Sequence, residues 1–195
     1  MAINVNYIET FFLGLGLAMD AAAVSAVNGF TEPKMKLIKV LFMAFLYGSF
    51  QGFMPMIGYA AGSMVVNIFS NIIPYVALIL LSYLGGKMIY DGVKKDKEED
   101  DEIVTGVTVK TLLLQSVATS IDALSVGLIF SKSSVMEAVV QSGIIDIVTF
   151  FVSFGSFFVG KYFGTFLNDK AQIFGGVILI LVGLKIFYEY IKSFF

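Results

Sequence analysis

Three carboxylates stand where a chain rarely keeps them. Asp20, Asp122 and Asp146 each fall near the middle of a long apolar run: Tyr7–Val27, Val109–Phe130 and Val135–Val159. At the centre of a bilayer an acid costs about 3 kcal/mol on insertion scales unless it is paired, hydrated or protonated, so such residues are functional by default. Two of them repeat. Met19-Asp20-Ala21 lies 102 residues before Ile121-Asp122-Ala123. Neutral oxygens accompany them. Gln115, Thr119, Asp122 and Ser125 share one helix face, and so do Tyr47 and Gln51. Ser142, Asp146, Thr149, Ser153 and Ser156 make a polar stripe whose gaps are filled by Ile, Val and Phe. There is no Cys and no His, which removes thiolate and imidazole ligands, redox chemistry and His-based catalysis. What remains is an all-oxygen site, suited to hard divalent cations such as Mg²⁺, Ca²⁺ or Mn²⁺. Two carboxylates balance one divalent charge. Empty, they repel each other and lose hydration, so protons would compete with the metal and serve as counter-ion.

Other polar residues have plainer readings. A single Ser or Thr between membrane helices is usually hydrogen-bonding glue, worth ~0.6 kcal/mol. Gly48/Gly52, Gly58/Gly62 and Gly160/Gly164 are four-residue glycine pairs that let helices approach closely. Pro55 frees a backbone carbonyl inside its helix, a possible ion ligand. Lys87 with Asp91 and Lys185 with Glu189, each four apart, read as helix-end ion pairs on snorkelling stems. The nine methionines read as packing filler.

The elements that must position the acids are membrane helices. Of 195 residues, 57% are hydrophobic and 14% charged, and mean hydropathy is +0.87. That is too little polar surface for a water-soluble domain, and a net charge of −2 argues against nucleic acid as a partner. Six runs are long enough to span: Tyr7–Val27, Leu37–Tyr59, Ile72–Tyr90, Val109–Phe130, Val135–Val159 and Ile173–Ile191. The connections are Asn28–Lys36, Ala60–Asn71, Asp91–Thr108, Ser131–Ser134 and Gly160–Gln172, with Pro74 opening the third helix. The first run contains Asp20 and follows no basic segment, so it is expected to be a span and not a cleaved signal peptide. All 13 basic residues are Lys. With the N-terminus outside, ten fall on one side and only Lys132, Lys185 and Lys192 on the other. Both termini are therefore expected outside, with the Lys-rich loops in the cytoplasm.

The chain also matches itself. At the offset of 102, Gly58 and Gly62 fall on Gly160 and Gly164; at 98, Gly85, Lys87 and Tyr90 fall on Gly183, Lys185 and Tyr188. The expected fold is all-α and polytopic, with six transmembrane helices as two inverted three-helix repeats, residues 1–93 and 108–195, joined by an acidic cytoplasmic linker, 94–107. Three spans is an odd number, so the halves cross in opposite senses, as in secondary transporters.

Gly16-Leu-Ala-Met-Asp20-Ala-Ala-Ala-Val-Ser25, Phe50-Gln51-x-x-Met54-Pro55-x-x-Gly58, Leu84-Gly-Gly-Lys87-Met, Ala118-Thr-Ser-Ile-Asp122-Ala-Leu-Ser-Val-Gly127 and Ala171-Gln-Ile-x-Gly-Gly176 resemble the MntP-type manganese efflux pumps of the LysE-like exporter superfamily. The likeness covers nearly the whole chain. It implies a six-helix protein of the bacterial inner membrane that exports Mn²⁺ as substrate, with no resident cofactor and no obligate protein partner. It also implies that Asp20 and Asp122 are the transport-critical acids. Gln51, Thr119, Ser125, Asp146, Ser25 and Thr149 are the weaker ligand or pathway candidates. Three rivals use the same residues differently. Export of another divalent cation fits the ligands equally, whereas a cationic amino acid needs a group for its carboxylate, and the lysines are expected at helix ends. An intramembrane aspartyl protease also uses two acids, but its Gly-x-Gly-Asp motif is missing before both Asp20 and Asp122, so an enzyme is not expected.

Overall fold

The computed structural model describes residues 5–95, 107–130, 134–167 and 171–192. Among them there are helices and no strands. In chain order these are α1 (Tyr7–Thr31), α2 (Leu37–Lys95), α3 (Val109–Thr119), α4 (Ile121–Phe130), α5 (Val135–Leu167) and α6 (Ala171–Lys192). Four stretches are long and apolar enough to cross a membrane: Tyr7–Thr31, Leu37–Ala61, Val135–Phe163 and Ile173–Lys192. The chain is a multi-pass membrane protein.

Local chemistry sets the ends. The Asn6 side chain accepts from the Glu9 N–H and caps α1. Thr108 does the same for α3, accepting from the Thr111 N–H. At the far end of α1, the Glu32 N–H bonds the Asn28 carbonyl. Residues Asn28 to Thr31, expected in a connection, therefore belong to the helix. Likewise α5 runs on to Leu167, past the expected end at Val159.

The expected second and third spans are joined differently from the sequence reading. Residues 60–71 were expected to be a connection, and Pro74 a helix opener. Instead α2 is helical for 59 residues with Pro55 and Pro74 inside it. No proline and only Gly62 interrupts 60–71, so the local sequence contains little to stop a helix. Yet α2 is not one straight rod. A Cβ on Gly175 would lie 2.8 Å from Met88 Cε and 3.0 Å from Val27 Cγ1. Next door, Asn28 Nδ2 reaches Met43 Sδ at 3.4 Å. Met43 and Met88 thus both sit beside the Val27–Asn28 turn, although 45 helical residues would separate them by about 67 Å. The two arms of α2 run in opposite senses.

The neighbours give the other directions. Gly14 packs on Ile145 and Val148, Ser25 bonds Ser153, and Gly29 meets Phe157, so α1 and α5 run parallel. Gly48 and Gly52 meet Asp146 and Ser142, so the first arm of α2 opposes α5. Gly85 meets Gly176 while Leu78 meets Gly183, so the second arm opposes α6.

One expected span is broken. Val109–Phe130 divides at Ser120, whose φ of −107° and ψ of 9° leave the helical range. The run holds no proline, but it holds hydroxyls. Thr119 Oγ1 donates to the Gln115 carbonyl at 2.9 Å, and both N–H and Oγ of Ser120 turn back to the Val117 carbonyl. Side chains thus take over backbone acceptors and offer the chain a stop. Together α3 and α4 still follow α2, with Gln115 beside Tyr47, Asp122 beside Gln51 and Gly127 beside Gly58.

The surface is inverted relative to a soluble protein. Ile38, Phe45, Phe53, Phe151 and Tyr162 are exposed, while Gln51, Gln115, Thr149 and Ser153 are fully buried. Lipid suits the outside, and the inside collects the polar groups.

Candidate functional site

Asp122 is the second residue of α4, immediately after the break. Its Oδ1 accepts from the Ala123 N–H at 2.9 Å and takes a long contact of 3.5 Å from Gln51 Nε2. The same Nε2 donates to the Leu17 carbonyl at 3.2 Å. Leu17 is three residues before Asp20, so Gln51 ties the turn that carries Asp20 to the break that carries Asp122. Sequence reasoning paired them from a repeated motif; in the structure Gln51 links the turn before Asp20 to Asp122.

Gln51 presents two further oxygens. Both Leu17 and Asp122 need a donor, which orients Nε2 toward them and turns Oε1 away. That Oε1 is buried and has no hydrogen-bond partner. One turn on, Pro55 lacks the N–H that would bond the Gln51 carbonyl in a helix. Asp122 and Ser125 are exposed, although Asp122 lies beside the fully buried Gln51. A carboxylate in such a span has to face water and not hydrocarbon. The arrangement is two acids and neutral oxygens at the mouth of a broken helix. Among the described residues no group of three or more acids is placed to hold a metal.

Asp20 differs from its mate. It is buried, and its Oδ1 accepts from Lys185 Nζ at 2.7 Å. Lys185 was expected beside Glu189 at a helix end. From within α6 it reaches α1, because the Gly183 approach to α2 places that stretch of α6 against the bundle. The Glu189 and Asp91 side chains lie outside the described residues.

The remaining candidates separate into two groups. Thr119 is buried at the break, with its proton committed to Gln115. Ser25 donates to the Ser153 carbonyl at 2.6 Å, fixing α1 to α5. Thr149, Ser142 and Ser153 hold buried hydroxyl oxygens without partners. Asp146 lies half-buried where α5 crosses α2, over Gly48 and Gly52. The stripe thus lies along the α2–α5 and α1–α5 contacts, and no bond joins Asp146 to Asp20 or Asp122 among the described residues. Sequence reasoning missed Asn28. It is buried on α1, and its Nδ2 donates to Tyr47 Oη at 2.9 Å and Gln115 Oε1 at 3.0 Å. Glu32 was missed as well: it accepts from Lys39 Nζ and, at 2.7 Å, from the N–H of Val107, the last residue of the expected linker.

A buried acid on one membrane helix and a second acid at a helix break, tied together inside a polytopic bundle, define a membrane transport protein. Residues 34–187 match a family described as "Putative manganese efflux pump". The chain is 39% identical over 196 residues to "Putative manganese efflux pump MntP 2" of Clostridium botulinum (strain Langeland), covering 95% of this chain and 96% of that one. It is 42% identical to the MntP of Gloeothece citriformis, covering 96% and 97%, and 38% identical to that of Methanosphaera stadtmanae, covering 92% and 97%. No solved structure matches. The chain belongs to the MntP manganese efflux pump family, a family of transporters and not of enzymes.

Proposed function

We propose that this chain exports Mn²⁺ from the cytoplasm across the bacterial inner membrane by alternating access, with Asp20 and Asp122 binding the ion. The observation that carries this reading is the junction at Gln51, which touches the Asp20 turn and Asp122 at once. Gln51 Oε1 and the Gln51 carbonyl complete an oxygen donor set, and Ser125 lines the exposed side. Thr119, Ser25, Thr149 and Asp146 are pathway residues in this account. The substrate is the ion named for the relatives, and its ligands here are of the oxygen type that hard divalent cations accept.

The fold reading that goes with it is six spans in two inverted halves, 1–93 and 108–195, with linker 94–107 and both termini outside. Contact symmetry supports it. Gly58 meets α4, and its repeat mate Gly160 meets α1. Gly85 meets Gly176, and their mates Gly183 and Leu78 meet each other. Protons are the proposed counter-ion, since two neighbouring carboxylates vacated by a dication favour regaining positive charge.

Purified chain in proteoliposomes loaded with a manganese-quenched dye and a pH dye tests both parts. Wild type should move Mn²⁺ with protons in the opposite direction, and Asp20→Asn should move neither. Manganese flux that ignores a proton gradient would remove the antiport. Flux that persists in Asp20→Asn would remove the site.

A further inference from the structure

The two acids are repeat mates, but their counter-charges are not equivalent in this conformation. Asp20 holds Lys185 at 2.7 Å. The repeat mate of Lys185, at the offset of 98, is Lys87, and the mate of Asp20 is Asp122. The symmetric counterpart of the observed ion pair is therefore Lys87 with Asp122. That pair is not made: Lys87 is exposed, and Asp122 bonds Gln51 and Ala123 instead. One acid is neutralised by an internal cation, and the other is open. In an inverted-repeat transporter the oppositely facing state exchanges the roles of the two halves.

We propose that Lys185 is an internal counter-cation of the transport site, competing with the divalent ion for Asp20, and that Lys87 takes the equivalent place on Asp122 in the oppositely facing state. This rests on the exporter reading above and adds two residues to it. The Lys185 side chain is 50% exposed, so its ammonium has room to leave the carboxylate when the metal displaces it, while the Asp20 side chain is 11% exposed and needs a cation at all times. A dication arriving between Asp20 and Asp122 supplies that cation and releases the lysine. When the metal leaves, the lysine returns, so Asp20 is never left as a bare buried charge. Lys185 is a positioning and competing residue, not a metal ligand. Its charge also disfavours monovalent cations, which bring too little charge to displace it.

The test is Mn²⁺ binding to the purified full-length chain in lipid nanodiscs, at fixed salt. Lys185→Gln removes the competitor and should tighten binding by about tenfold while slowing export, because release then leaves Asp20 unneutralised. Lys185→Arg keeps the charge and should bind within about threefold of wild type. A lysine that only packs the bundle gives the opposite sign, weaker binding in Lys185→Gln. Equal or weaker binding there, with Asp20→Asn still weakening binding, overturns the lysine's role and leaves the exporter site standing. Binding unchanged in Asp20→Asn overturns the site itself, and the lysine's role with it. If Lys185→Gln does not yield a monodisperse protein, the wild type answers directly. Modification of Lys185 by a small amine-reactive reagent, read by peptide mass spectrometry, should rise on adding Mn²⁺; a rate that stays level or falls contradicts the displacement.

Discussion

Asp20 and Asp122 carry the same motif in the sequence and occupy different surroundings in the fold. Asp20 stands in an unbroken helix, buried, with an ammonium on it. Asp122 stands at the start of a half-helix, exposed, held by an amide and a backbone N–H. The difference teaches that one short sequence motif can be placed in two quite different environments. What distinguishes the two acids is the turn before each: Leu17 and Ala18 continue α1, whereas the hydroxyls of Thr119 and Ser120 end α3 just before Asp122.

The largest expected effect breaks the pair from either side. Asp20→Asn and Asp122→Asn should each cut manganese export by at least about tenfold, a loss that even outer-shell metal partners can cause. Stability then separates them. Asp20→Asn leaves the Lys185 ammonium without its acid and should cost about 1–2 kcal/mol, limited because that lysine is half exposed. Asp122→Asn abandons no cation and should leave thermal unfolding in detergent unchanged. Equal destabilisation of the two variants would contradict the asymmetry.

Packing of the two halves gives the next comparison. A Cβ at Gly160 would run into the Ala26 backbone, whereas one at Gly16 meets nothing within 4 Å. Gly160→Ala should destabilise by about 1–3 kcal/mol, while Gly16→Ala should be neutral or slightly stabilising through helix propensity. Melting curves on matched preparations check the contrast. A smaller effect is expected from Asn28→Ala, which strips donors from Tyr47 and Gln115 and should cost about 1 kcal/mol after Tyr47 bonds Gln115 alone. The smallest is Glu32→Gln. Its ion pair with Lys39 is partly solvated and should be worth at most about 1 kcal/mol. The unfolding midpoint reads this directly, and a large drop would make the clamp on Val107 a main support of the fold.

The acids were legible in the sequence because lipid makes a mid-span carboxylate expensive, and their pairing was legible because the motif repeats. Gln51 could be read as a companion, though not as the junction, since its reach to Leu17 and Asp122 spans 34 and 71 residues. The break at Ser120 was not legible. The run Val109–Phe130 has no glycine before Gly127 and no proline, and the stop comes from hydroxyls turning back onto carbonyls, which composition alone does not specify. Asn28 was hidden by its type, because asparagine more often ends a helix than bonds inside a bundle. Lys185 was hidden by a nearer acid: Glu189 is four residues away and Asp20 is 165, and sequence spacing ranks only the first. The continuing helical backbone of α2 through 60–71 was not legible, since hydropathy marks the end of an apolar run and not the end of a helix.

Cellular metal content in a manganese-sensitive bacterial host tests the central claim most directly. Wild type and Asp20→Asn are compared at matched membrane abundance under added Mn²⁺, by elemental analysis. A selective fall in manganese with the wild type alone is the predicted result. Equal manganese in both strains, or a fall in another metal instead, would contradict the assignment of manganese export to the Asp20–Asp122 pair.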